Sequence, residues 1–316
     1  MSDALVERLL GGDVRALARA ISLVEDGDPG VASLLRDVYP STGGAYVVGI
    51  TGSPGAGKSS LVNALAGAYR KAGERVGIIA VDPSSAFSGG AILGDRIRMQ
   101  HHFLDPDVFI RSMANRGHAG GLAKATHDAV DLMDAAGYTL ILLETVGVGQ
   151  DEVEVVEGAD TVCVVLVPGM GDDIQSLKAG IMEIAHVFVI NKSDRPGADR
   201  VHSEVEQMLG LQTWQDRWRP LIVRTVATGN QGVTELTEEI VRHREFGGGA
   251  DAVNRRRLEL SRTRFMSLLS DRLVAELLRR LGPEVVDAAV NDIATRRVDP
   301  YSATARVAAS ADMGEQ

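Results

Sequence analysis

Residues 52–59 read Gly52-Ser53-Pro54-Gly55-Ala56-Gly57-Lys58-Ser59, and they fall between the apolar run Tyr46-Val47-Val48-Gly49-Ile50 and a helically spaced set, Leu61, Leu65, Ala68 and Tyr69. The glycines let the chain curl around an anion with successive backbone N–H groups turned inward, and the following helix adds the positive end of its dipole. Lys58 then reaches the outer phosphates and Ser59 places a hydroxyl on Mg²⁺. Strand before, helix after and every position of the phosphate-loop pattern matched imply a nucleoside di- or triphosphate as ligand.

On both sides of this loop the chain repeats one theme. Apolar runs suited to strands occur at 46–51, 76–81, 107–111, 139–144, 160–167, 186–191 and 220–224, separated by amphipathic stretches. Seven such runs alternating with helices predict an α/β P-loop NTPase, a mainly parallel sheet with helices on both faces. Before it, Leu5, Leu9, Leu17, Ile21 and Leu34 have helical spacing and end at Tyr39-Pro40-Ser41-Thr42-Gly43-Gly44. After it, Gly247-Gly248-Gly249 introduces a further helical pattern through Phe265, Leu268, Leu269, Leu273, Leu277 and Leu281, which Gly282-Pro283 stops. The expected domains are an N-terminal helical extension over 1–44, the nucleotide-binding domain over 45–246, and a C-terminal helical arm over 247–316. A long amphipathic helix must bury its stripe somewhere, so the arm is expected to pair with a second copy.

Composition bounds the partners. The formal charge of −10 disfavours a nucleic-acid footprint, and the tail's eleven arginines are nearly balanced by its own acids. Aromatic residues make up only 4%, which suits a Val, Ile, Leu and Ala interior of the kind parallel sheets have. Cys163 is the only cysteine and lies inside an apolar run, so it reads as a core residue and excludes disulfides within the chain. With no apolar run of eighteen residues and an acidic start at Asp3 and Glu7, the expected location is cytoplasmic, with no membrane attachment. The adjacent His101 and His102 point apart on a helix and read as surface or packing residues rather than metal ligands.

Asn191-Lys192-Ser193-Asp194 follows the run Val187-Phe188-Val189-Ile190. At a strand's carboxyl edge, the Asp194 carboxylate accepts both hydrogen bonds that guanine offers from N1–H and its 2-amino group, a pair adenine lacks. Asn191 braces the loop and the stem of Lys192 lies against the base, so the ligand is read as GTP or GDP. Leu140-Ile141-Leu142-Leu143 leads into Glu144-Thr145-Val146-Gly147-Val148-Gly149-Gln150, an acid followed three residues on by a glycine, as in loops that sense Mg²⁺ and the γ-phosphate. Glu144 stands where most GTPases have Asp, and its extra length suits contact with the metal through water. Gln150 is the candidate for orienting the attacking water. Asp82 and Asp95 flank a glycine-bearing loop and, with Ser59 and Glu144, make an oxygen shell for Mg²⁺. Asp82 also suits an Asx turn, and Asp95 a helix cap. Asp172 and Asp173, between Gly171 and a helical pattern carrying Lys178, read as a further switch. The backbone of Val226, Ala227 and Thr228, after the last strand, is placed near guanine O6.

Taken together, Gly52 to Ser59, Val81-Asp82-Pro83-Ser84-Ser85, Gly89-Gly90-Ala91-Ile92-Leu93-Gly94-Asp95, Glu144 to Gln150 and Asn191 to Asp194 resemble the MeaB-type GTPases. These are relatives of the methylmalonic aciduria type A protein, formerly labelled ArgK or LAO/AO transport ATPases. The resemblance spans most of the chain and implies a homodimeric, slow GTPase of the SIMIBI class that associates with methylmalonyl-CoA mutase and gates adenosylcobalamin loading. It assigns Gly52 to Ser60 to the phosphates, with Lys58, Glu144 and Gln150 as catalytic residues. Ser59, Asp82, Asp95 and Glu144 go to the metal, and Asn191, Lys192 and Asp194 to guanine. Lys178 becomes the lysine that couples nucleotide state to the partner. Related proteins often have Ser-Ala where this chain has Val226-Ala227, so a hydroxyl is missing there. Two alternatives are weaker: a nickel-insertion GTPase needs His or Cys clusters, and a transport-associated ATPase is opposed by Asp194.

Overall fold

The computed structural model describes residues 3–82, 104–114, 121–145, 155–156, 158–169, 184–214, 218–246 and 250–312. Asp95, Gln150, Asp172, Asp173 and Lys178 lie outside the described residues, as do His101 and His102. Seven strands form one sheet: β1 (Tyr46–Gly52), β2 (Val76–Asp82), β3 (Val108–Ala114), β4 (Leu140–Thr145), β5 (Thr161–Leu166), β6 (Val187–Asn191) and β7 (Leu221–Thr225). Their order is β3-β2-β4-β1-β5-β6-β7, and every pairing is parallel. The mainly parallel α/β fold expected from the sequence is therefore the observed one, and the ends of each strand lie within one residue of its predicted run, except that β3 continues to Ala114, three residues past the expected end at Arg111.

A parallel neighbour needs a crossover, and among the described residues helices supply it between β1 and β2, between β3 and β4 and between β6 and β7. The sheet unit contains α1 (Asp3–Leu10), α2 (Val14–Glu25), α3 (Val31–Val38), α4 (Lys58–Lys71), α5 (Gly121–Ala135), α6 (Ala198–Gly210) and α7 (Val233–Phe246). Strand residues alternate between two apolar layers, as a period of two demands. Ile50, Ile78, Leu142 and Cys163 join Leu61 and Leu65 of α4 and Leu236 and Ile240 of α7. Ile79, Ile141, Leu143 and Phe188 join Leu132 and Met133 of α5 and Val205 of α6. Cys163 is fully buried and its burial pushes the thiol up to about 12, which fits a small core residue.

The N-terminal helices belong to the second layer: Leu9, Leu17, Ile21, Leu34 and Val38 are fully buried in the same cluster as Met133. Asp13 caps α2 by accepting from the amides of Arg15 and Ala16. The segment that follows α3 is anchored by Asp134, whose carboxylate accepts from the amides of Gly44 at 3.2 Å and Ala45 at 2.9 Å.

Residues 1–247 and 248–316 form two separate compact units. In the second, α8 (Ala250–Leu281), α9 (Pro283–Ala294) and α10 (Pro300–Asp312) follow one another, with Arg306 of α10 bonded to Asp292 of α9 at 2.7 Å. It leaves Leu258, Phe265, Leu273, Val274 and Val290 exposed. Among the described residues no helix is long and apolar enough to cross a membrane.

Candidate functional site

The carboxyl ends of β1, β4, β6 and β7 carry the site, beside the point where the chain leaves β1 for β2 on one side of the sheet and leaves neighbouring β4 for β5 on the other. β1 runs directly into the phosphate loop. Gly52 has φ 148° and a Cβ there would lie 2.3 Å from the Val165 carbonyl oxygen; Gly57 has φ 89° and its Cβ would lie 2.5 Å from Asn191 Nδ2. Glycine is required at both positions, by conformation and by the backbone or amide that closes on it. Gly57 immediately precedes α4, which starts at Lys58. The Lys58 ammonium is buried and donates to the carbonyls of Gly52 and Ser53, the latter at 3.0 Å.

Next to it, Ser59 Oγ donates to Glu144 Oε1 at 2.6 Å. Glu144, 6% exposed, stands opposite Ile50 in the β1–β4 register. The serine proton goes to the carboxylate, and the lone pairs of Oγ are the acceptor face of the hydroxyl. A hydroxyl and a carboxylate are hard oxygen donors and suit Mg²⁺, which keeps waters and takes its other ligands from phosphate. The residues present therefore fit that ion. Asp82 ends β2 opposite Ala114 of β3. Among the described residues no group of three or more His, Cys, Asp or Glu forms a metal cage.

Asn191 joins the phosphate side to the base side. It is 2% exposed, and its amide Nδ2 donates to the Ala56 carbonyl at 2.9 Å. Its Oδ1 accepts from Thr225 Oγ1 and from the Ala227 amide, each at 3.1 Å. Lys192 has φ 54°, and its Nζ donates to the Gly55 carbonyl at 2.7 Å. Ser193 N donates to the Thr225 carbonyl at 3.1 Å. Asp194 is exposed. Val226 bridges to Gln231, and Ala227–Gly229 form a short 3-10 turn with Thr228 exposed. The structure thus brings the phosphate loop, Asn191 and the 226–228 segment together through side chains of one residue.

Three contributors receive no role from the motifs, although Thr145 lies inside one: Thr51, Thr145 and Thr225, all fully buried. Each is the polar residue at the carboxyl end of β1, β4 or β7, and that placement is the signal in the sequence. Thr225, one residue before Val226, donates its hydroxyl to Asn191 Oδ1. Arg111 of β3 is ion-paired with the buried Glu25 of α2 and bonded to Ser22. Arg96 and Arg98 lie outside the described residues.

At the opposite edge of the sheet, His186 Nδ1 accepts from the Val162 amide at 2.9 Å. His243 Nδ1 lies 2.7 Å from Thr161 Oγ1, and the two rings stack with centroids 4.1 Å apart.

A family model described as methylmalonyl-CoA mutase-associated GTPase MeaB matches residues 17–281. A candidate GTPase of Pyrococcus abyssi is 50% identical over 310 residues, covering 96% of this chain and 94% of its own. The mitochondrial methylmalonic aciduria type A homolog of Caenorhabditis elegans is 32% identical over 318 residues, covering 94% of this chain and 79% of its own. The crystal structure of LAO/AO transport system kinase shares the fold, with a TM-score of 0.74 at 23% identity over 98% of both chains. Since the family match takes in the phosphate loop, the Ser59–Glu144 pair and the Asn191 bridge, this chain belongs to the MeaB family of mutase-associated GTPases and is a P-loop GTPase that binds guanine nucleotide.

Proposed function

We propose that this GTPase works as a nucleotide-dependent chaperone for methylmalonyl-CoA mutase or a related cobalamin-dependent mutase, gating adenosylcobalamin loading and protecting the loaded enzyme. The family match supports the partner, and the observation that carries the coupling is Asn191. One buried carboxamide bonds both Ala56 of the phosphate loop and Ala227 of the base segment, so nucleotide at either end is felt at the other.

In this reading Gly52 to Ser60 cradle the phosphates, Lys58 turns from its loop carbonyls to the outer phosphate oxygens, and Asp194 selects guanine. Lys192 lies along the base, with the backbone of Val226, Ala227 and Thr228 at its far edge. Ser59, Glu144, Asp82 and Asp95 would hold Mg²⁺, which when bound neutralises charge on the phosphates. Gln150 orients the water. Asp172, Asp173 and Lys178 form the switch that reports nucleotide state to the mutase. Turnover is slow in the isolated protein, because Arg111 is engaged with Glu25 and the partner supplies or repositions the missing group.

The working form is a cytoplasmic homodimer. The exposed Phe265, Leu273 and Val274 of α8 support residues 247–316 as its dimerisation arm, with 1–44 the helical extension and 45–246 the GTPase domain. The test is capture of purified methylmalonyl-CoA mutase by the tagged protein loaded with GDP or with a non-hydrolysable GTP analogue. Capture that differs between the two nucleotides is expected; no capture, or equal capture, overturns the chaperone reading.

A further inference from the structure

β4 delivers Glu144 to Ser59, and the accuracy of that delivery depends on how the end of β4 is held. The β1–β4 backbone register runs to the pair Ile50 and Glu144. One residue further, Thr145 Oγ1 donates to Thr51 Oγ1 at 3.0 Å. Alternation puts this hydroxyl pair on the face of the sheet opposite to Ser59 and Glu144. The end of β4 is therefore clamped to the β1 side on both faces, by Glu144 to Ser59 on one and by Thr145 to Thr51 on the other. Both threonines are fully buried. Valine has nearly the same shape and would fill either strand position; what threonine adds is the hydroxyl. Thr51 is also the residue before Gly52, whose carbonyl accepts from Lys58. The side-chain rung thus reaches the root of the phosphate loop.

We propose that Thr145 is a positioning residue for GTP hydrolysis: its bond to Thr51 extends the β1–β4 ladder by one rung and sets where the Glu144 carboxylate meets Ser59. The proposal rests on reading Ser59 and Glu144 as the metal end of the nucleotide site. Thr145 keeps its register with Val81 of β2, and loss of the rung loosens the β1 side, so that the end of β4 shifts relative to Ser59. Small displacements of a charged group at such a site are costly, so turnover falls while the phosphate loop and guanine contacts persist.

The test compares Thr145→Val with Thr145→Ser, each checked for folding by its thermal transition. The binding readout uses a fluorescent N-methylanthraniloyl GDP, titrated in EDTA and in excess Mg²⁺, and GTP turnover is followed separately. For Thr145→Val we expect GDP affinity in EDTA within about twofold of wild type, while the gain in affinity on adding Mg²⁺ shrinks several-fold. Its kcat falls about tenfold with KM little changed. Thr145→Ser, which keeps the hydroxyl, restores both. Thr51→Val matches Thr145→Val, and the double variant is no worse than either single one. Wild-type behaviour in Thr145→Val overturns the proposal, as does an equal loss in Thr145→Ser, which would point to the methyl group and packing. If wild-type affinity shows no response to Mg²⁺, the metal assignment of Ser59 and Glu144 fails instead, and turnover of the two Thr145 variants still decides the rung.

Discussion

Asn191 and Asp194 are three residues apart in one motif and are treated in opposite ways by the fold. Asn191 is buried and its carboxamide makes three hydrogen bonds, to Ala56, Thr225 and Ala227. Asp194 is exposed and, among the described residues, has no hydrogen bond or ion pair with the protein. The difference separates two jobs that a motif prints side by side. Asn191 holds the site together and is needed whether or not nucleotide is present. In the proposed function Asp194 is left for the ligand, so its carboxylate would be satisfied by water alone or by a base with two adjacent donors.

Four substitutions break or sharpen that contrast. The largest effect is expected from Gly57→Ala, because the new methyl would sit 2.5 Å from Asn191 Nδ2 at φ 89°. Backbone strain and the displaced amide together cost about 2–4 kcal/mol, so GDP titration should show affinity reduced by roughly thirtyfold to several hundredfold. Asn191→Ala leaves buried partners unsatisfied and should lower stability by about 2–3 kcal/mol, seen as a fall of several degrees in Tm. Its affinity for guanine and xanthine nucleotides should drop together. Asp194→Asn should leave Tm unchanged within about 1 °C, as expected of an exposed site. It should lower GTP affinity at least about tenfold and improve binding of xanthosine triphosphate. Equal stability losses in the last two variants would erase the division between scaffold and ligand-facing residue. The smallest effect on the nucleotide site should come from Leu273→Glu in α8, where sedimentation should show loss of the dimer with GDP affinity unaltered.

The fold was legible because the signals were local and redundant. Val, Ile and Leu runs of strand length separated by helical patterns leave few arrangements other than a covered parallel sheet, and the glycine positions of residues 52–57 name the turn they build. The N-terminal helices were legible as helices, whereas their place in the core was not. A stripe such as Leu17, Ile21 and Leu34 states that a face is buried, and Met133, which shares that buried cluster, is named only by the three-dimensional packing. The same limit applies within the site. Asn191 and Lys192 were readable from their motif, yet the contact of Lys192 with the Gly55 carbonyl depends on a left-handed residue at a strand end. The threonine rungs were missed because threonine is an ordinary strand residue, and only its neighbour across the sheet shows that its hydroxyl is used. Arg111 carries the same lesson: its pairing with Glu25 on the helical side is set by packing that no local pattern in the sequence names.

Titration calorimetry of the purified protein with GDP and with ADP, each in the presence of magnesium, tests the central claim most directly. The account predicts saturable heat with GDP at one site per chain and none with ADP. Equal binding of both nucleotides, or no heat with GDP, would contradict the guanine site built on Asn191 and Asp194.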